Sequence, residues 1–81
     1  MLYDVINAEY CNDYQLKVVF ENGVSGIIDF SKYLELGGVF ENFKNLVYFK
    51  NFKVSKDLGT IVWDNEVDIA PDTLYYECIN K

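Results

Sequence analysis

The sequence predicts an α+β fold: a three-stranded antiparallel meander, a short helical segment, a β-hairpin and a C-terminal helix. Three observations carry this. Residues 14–20 and 24–30 alternate apolar and polar side chains on either side of Asn22-Gly23, the period of half-buried strands. Gly37-Gly38 interrupts apolar residues grouped at helical spacing. The stretch Thr60–Tyr76 reads as a strand, a tight turn, a second short strand and a helix opened by the only proline, Pro71.

The chain has 81 residues, which suits one domain spanning residues 1–81. A chain this short buries only roughly 60–65% of its unfolded surface. Seven Tyr and six Phe help, because each aromatic buries a large area. A surplus of aromatics also suits an interface.

The first strand is expected over residues 2–10, with Ile6, Ala8 and Tyr10 on one face. Cys11-Asn12-Asp13 turns the chain into Tyr14–Phe20. The next connection follows from register. A two-residue loop at Asn22-Gly23 would pair Phe20 with Ser25 and Leu16 with Asp29, mixing apolar and polar residues on one face. A three-residue loop pairs Phe20 with Val24, Val18 with Gly26, Leu16 with Ile28 and Tyr14 with Phe30, which keeps the buried face apolar. That loop is a type I turn with a bulge, and its left-handed third position falls on Gly23. Gly26 opposite Val18 then leaves room for a bulky neighbour, such as an aromatic from a helix.

Ser31 is the expected N-cap of a short helix, Ser31–Leu36, that Gly37-Gly38 stops. Another helical turn follows over Glu41–Val47. Residues 48–54 read as a strand, residues 55–59 as a turn, and Thr60–Asp64 as its partner strand. In the closing helix Asp72 lies near the positive end of the dipole, and Leu74, Tyr75, Cys78 and Ile79 form its apolar stripe.

Composition narrows the chemistry. Net charge is −6, and the chain contains neither Arg nor His. Direct nucleic-acid binding is therefore not expected, since it needs clustered cations. Bidentate guanidinium recognition is absent, as is the usual general base near neutral pH. Cys11 and Cys78 form no zinc spacing, and reduced cytoplasmic thiols are the simpler expectation. Asp4 interrupts the short apolar start, so no signal peptide is expected. No apolar run reaches the roughly 18 residues a membrane helix needs.

Asp64, Glu66 and Asp68 recur at every second residue. In a loop this spacing could wrap a cation, but the calcium-hand pattern fails. Its obligatory Gly position holds Ile69 and its closing Glu position holds Tyr75. A turn and a helix start account for the same residues, and no metal or cofactor is expected. Trp63 could stack a ligand, but the only Trp of a small domain is better read as a core anchor. Ser31 and Cys11 lack a His to activate them as nucleophiles, and Gly37-Gly38 lacks the Lys of a phosphate loop.

Between Asp57 and Asn80 there are six acids and no base. An acidic surface of this kind can steer a basic partner; equally, it keeps a small protein soluble.

The order FENG (Phe20–Gly23), DF (Asp29-Phe30), GGVF (Gly37–Phe40), a Phe-rich stretch, GTIVW (Gly59–Trp63) and DIAPDTLY (Asp68–Tyr75) resembles a small bacterial family known only as domain of unknown function 2442. The likeness covers nearly the whole chain. Its most specific residues are Gly59, Thr60, Ile61, Trp63, Asn65, Asp68, Pro71, Leu74 and Tyr75. It implies a fold like the N-terminal domain of a helix-turn-helix regulator, without the DNA-binding extension. It also implies a neighbouring small protein in an arrangement like a toxin–antitoxin pair. Where the family has Asn-Gly after the Trp, this chain has Asn65-Glu66. Glu tolerates positive φ poorly, so this turn is expected to differ in type.

The functional expectation is a cytoplasmic, non-enzymatic interaction module, the acidic partner in a two-protein system. Its partner-contact residues are Asp64, Glu66, Asp68, Asp72 and Tyr75. One alternative is a small enzyme or metal-binding protein using the same carboxylates. Another is a structural homodimer sharing a sheet edge lined by Tyr and Phe.

Overall fold

The turn at Gly23 sets the first sheet. In the computed structural model, which describes residues 3–63 and 67–79, Gly23 has φ +91°. Its N–H donates to Phe20 O at 2.9 Å, and the Phe20 N–H donates to Val24 O at 2.8 Å. This is the expected three-residue loop. It joins β2 (Gln15–Phe20) to β3 (Ser25–Asp29), with Leu16 opposite Ile28 and Val18 opposite Gly26. The Phe30 N–H reaches Tyr14 O at 2.8 Å, which completes the predicted register. Leu16, Val18, Phe20, Ile28 and Phe30 are all buried.

β1 (Val5–Asn12) pairs antiparallel with β2 and completes the order β1-β2-β3. The turn sits one residue later than expected, at Asp13-Tyr14. Asp13 takes φ +47°, which a short polar side chain tolerates. Of the expected face, Ala8 and Tyr10 pack against the core and Ile6 does not. The ladder shifts between Val5 and Asn7, so Ile6 is the extra residue of a bulge. Val5 takes the buried place, and Ile6 is 57% exposed.

The expected short helical segment is present as two 310 turns, Ser31–Glu35 and Gly38–Lys44. Gly37, with φ +68°, separates them. They bury Tyr33 and Phe43. Ser31 is not the cap: it is the first residue of its turn, and its N–H donates to Asp29 Oδ1 at 2.9 Å. The cap position falls on Phe30, without a side-chain cap, and Asp29 just before it closes a local Asx-type turn onto Ser31. Hydrogen bonds from Ser31 hold the Asp29 carboxyl below the usual carboxylate range.

Residues 48–54 are not one strand. α1 (Leu46–Lys50) occupies the first part, capped by Asn45, whose side chain accepts the Val47 N–H at 3.0 Å. β4 is only Lys53–Ser55. It pairs with β5 (Thr60–Trp63), which pairs with β6 (Val67–Asp68), giving a second sheet in the order β4-β5-β6. The expected tight turn at Asn65-Glu66 lies outside the described residues. α2 (Pro71–Ile79) closes the chain and buries Leu74 and Cys78.

Trp63 sits at the centre of an aromatic core, 3% exposed. Its ring centroid lies 4.7 Å from Phe43, 5.8 Å from Phe49 and 6.0 Å from Phe30. Nε1 donates to Phe49 O at 2.8 Å, which satisfies the only polar atom of the side chain. Trp63 is thus the core anchor expected from the sequence.

The space at Gly26 is filled by α2, but not by an aromatic. A Cβ at Gly26 would meet Cys78 Sγ at 2.7 Å. Gly26→Ala is therefore expected to lose about 1–3 kcal/mol by overpacking, measured by urea denaturation. Cys78→Ala in the same chain should restore much of that loss. An undiminished stability in Gly26→Ala alone would contradict this packing.

Candidate functional site

α2 starts at Pro71, and the Leu74 N–H donates to Ala70 O at 3.2 Å. This places Asp72 in the first helical turn, exposed, where its carboxylate faces the positive end of the helix dipole. Asp68 is the last residue of β6, opposite Val62, and is also exposed. Together with Ser55, Leu58, Val62 and Trp63 it lines an open depression of about 540 Å³. Leu58 there is 56% exposed.

Tyr75 points to different partners. Its ring packs against Phe20 and Tyr3, with centroids 5.0 and 5.1 Å away. Its hydroxyl accepts from Asn22 Nδ2 at 3.0 Å. Tyr75 therefore fastens α2 to the β2–β3 hairpin, while Asp68 belongs to the second sheet. Asp64 and Glu66, the remaining expected contact residues, lie outside the described residues. Among the described residues no group of three or more His, Cys, Asp or Glu is placed to hold a metal ion.

Two further clusters had no signal in the sequence, because their members are far apart along the chain. In the first, Glu77 Oε2 accepts from Tyr33 Oη at 2.9 Å and from Lys32 Nζ at 2.8 Å. This joins the first 310 turn to α2. Burial, then the hydrogen bond and charge of Glu77, push the Tyr33 phenol well above its ordinary 10.0. The folded state keeps this proton at pH values where the unfolded chain releases it. The resulting stability is whole below pH ~10 and is lost as pH rises toward the folded-state value. Above pH ~10 the proton contributes a decline of about 1.4 kcal/mol per pH unit. Tyr33→Phe should flatten that part of the alkaline profile in urea denaturations. An unchanged slope would remove Tyr33 from the effect.

The second cluster lies where the two sheets meet. The Val5 N–H donates to Gly59 O at 2.9 Å, and the Glu21 N–H donates to Asp4 O at 2.9 Å. The Asp4 carboxyl packs against the Cα of Gly59. Asp4, Ile6, Glu21, Val54 and Lys56 border a cleft of about 340 Å³ there. It offers carboxylates and one amine around an apolar floor, a surface suited to polar contact.

Cys11 is exposed and Cys78 buried, and neither forms a disulfide. Among the described residues no helix is long and apolar enough to cross a membrane. A family model described as "Protein of unknown function (DUF2442)" matches residues 5–80. No curated protein and no solved structure matches the chain. The expected likeness to the N-terminal domain of a helix-turn-helix regulator therefore rests on the sequence resemblance alone.

Proposed function

We propose that this chain, which belongs to the DUF2442 family of proteins of unknown function, is a non-enzymatic interaction module. In this reading it is the acidic member of a two-protein regulatory pair and docks a partner with a basic surface. The observation that carries the reading is the pair of exposed carboxylates, Asp68 and Asp72, within a stretch from Asp57 to Asn80 that holds no base. Such one-signed charge steers and orients a partner of opposite sign. The exposed Leu58 beside Asp68 supplies apolar area for the same contact. A sequence with neither His nor Arg agrees with a binding role, since it lacks the commonest general base.

Affinity purification from the native cell tests the proposal, using the wild type and an Asp68→Lys, Asp72→Lys double variant. Wild type should retain a stoichiometric partner that raised salt removes. The double variant should lose it while keeping the wild-type circular dichroism spectrum. Failure to recover any stoichiometric partner with the wild type would remove the proposal.

A further inference from the structure

Asn22 is the only asparagine in the chain followed by glycine. Asn-Gly is the dipeptide in which the following backbone nitrogen most easily attacks the asparagine side chain, because glycine has no Cβ to hinder the approach. Here the dipeptide lies in the tight turn between β2 and β3, on the surface, with nothing within 4 Å of where a Gly23 Cβ would be. Solvent therefore reaches the reacting groups, and what restrains them is hydrogen bonding.

Three bonds restrain the reacting groups. Asn22 Oδ1 accepts the Val24 N–H at 3.2 Å. Asn22 Nδ2, the nitrogen that must leave, donates to Tyr75 Oη at 3.0 Å. The Gly23 N–H, whose nitrogen must attack, is committed to Phe20 O at 2.9 Å. The first two grip both ends of the carboxamide, and the third keeps the proton on the nucleophile. The first and third are local to the turn. The second reaches across 53 residues to α2 and depends on that helix being docked.

We infer that Asn22 is a deamidation site whose rate is set by the Tyr75 hydroxyl, so that docking of the C-terminal helix guards it. In the reaction Gly23 N loses its proton to solvent and forms a bond to Asn22 Cγ. The Cγ–Nδ2 bond breaks, and Nδ2 leaves as ammonia with a proton from solvent. The cyclic imide that results takes up water at either carbonyl, giving aspartate or isoaspartate. The net change is one water consumed and one ammonia released.

Either product alters the turn. Aspartate adds a negative charge beside Glu21 and removes the donor that Tyr75 accepts from. Isoaspartate also moves a methylene into the backbone between Phe20 and Val24, which breaks the three-residue loop on which the register of β2 and β3 rests. The change is irreversible without a repair enzyme and falls beside the helix that carries Asp72 and Tyr75.

The test is incubation of the purified chain in mildly alkaline buffer with peptide mapping by mass spectrometry. Conversion of residue 22 is read as the exchange of NH for O and as isoaspartate. Tyr75→Phe removes the hydroxyl and keeps the ring on Phe20 and Tyr3. Ile61→Val lowers stability in the core without touching the latch. Asn22→Gln identifies the product peaks. Wild type should convert several-fold more slowly than a short unstructured Asn-Gly peptide. Tyr75→Phe should convert several-fold faster than wild type, and Ile61→Val should match wild type. Three outcomes would overturn the inference: equal rates in wild type and Tyr75→Phe, wild type as fast as the free peptide, or Ile61→Val accelerating as much as Tyr75→Phe.

Discussion

Trp63→Ala is expected to leave most of the protein unfolded at room temperature. Truncating a buried aromatic costs about 3–5 kcal/mol. Loss of the Nε1 bond also leaves the Phe49 carbonyl unpaired, a further penalty of about 1–3 kcal/mol. A chain of this length has roughly 4–12 kcal/mol to lose, at about 0.05–0.15 kcal/mol per residue. The cavity would open among Phe30, Phe43 and Phe49, side chains contributed by three separate segments. Far-UV circular dichroism in a urea titration is the measurement, because Trp63 is the only tryptophan and its fluorescence goes with it. Trp63→Phe keeps most of the ring volume and should lose much less. A Trp63→Ala chain within about 1 kcal/mol of wild type, the range of ordinary surface changes, would refute its central place.

Gly59→Ala should be the most damaging of the small substitutions. Gly59 holds φ +69°, where a side chain adds about 1–2 kcal/mol of strain. The added Cβ would also collide with the Asp4 carboxyl, whose Cγ would be 2.6 Å away. The Asp4 side chain is exposed and can swing aside, so the collision adds less than the roughly 1–3 kcal/mol of overpacking a closed core. The two contributions separate in a double-mutant cycle with Asp4→Ala, which should relieve the collision and leave the backbone strain. Full recovery in the double variant would assign the whole effect to the collision. No loss in Gly59→Ala would show that the junction between the sheets yields freely.

The features readable from the sequence were those fixed by neighbours in the chain. Asn22-Gly23 and its flanking alternation determine the hairpin, because only one register keeps Leu16, Val18 and Phe20 on a single apolar face. Pro71 marked the start of α2 for an equally local reason. Trp63 was legible as a core residue because a lone large aromatic in a small chain has few other places to go.

What was not legible depends on distant residues or on competing local signals. Residues 48–54 carry enough aromatic and β-branched side chains to read as a strand. Asn45 nevertheless caps a helix over Leu46–Lys50, and burying Phe49 against Trp63 favours that helix. Ser31 reads as a cap from its residue type alone; the turn after β3 makes it the first residue of its 310 turn, with the Asp29 carboxylate over its amide. The bulge at Ile6 has no local mark. The match of Gly26 with Cys78 spans well over half the chain, so sequence could indicate a gap but not what fills it. For the candidate site, Asp68 and Asp72 are exposed as a contact surface requires, while Tyr75 proved to be tied to Asn22 and Phe20.

The junction of the two sheets has a further consequence, for the order of folding. Each sheet is a meander of consecutive strands, so its ladders close short loops and can form early. The backbone bond between Val5 and Gly59 closes a loop of most of the chain. Its entropic cost is met only after both meanders exist. Interactions absent from the transition state act on unfolding rather than folding. Weakening the junction at Gly59 should therefore steepen escape from the native state while leaving the speed of its formation almost unchanged. The lifetime of the native protein would then depend on this backbone junction, and the aromatic core shared by the two sheets would govern how quickly the chain finds its way back.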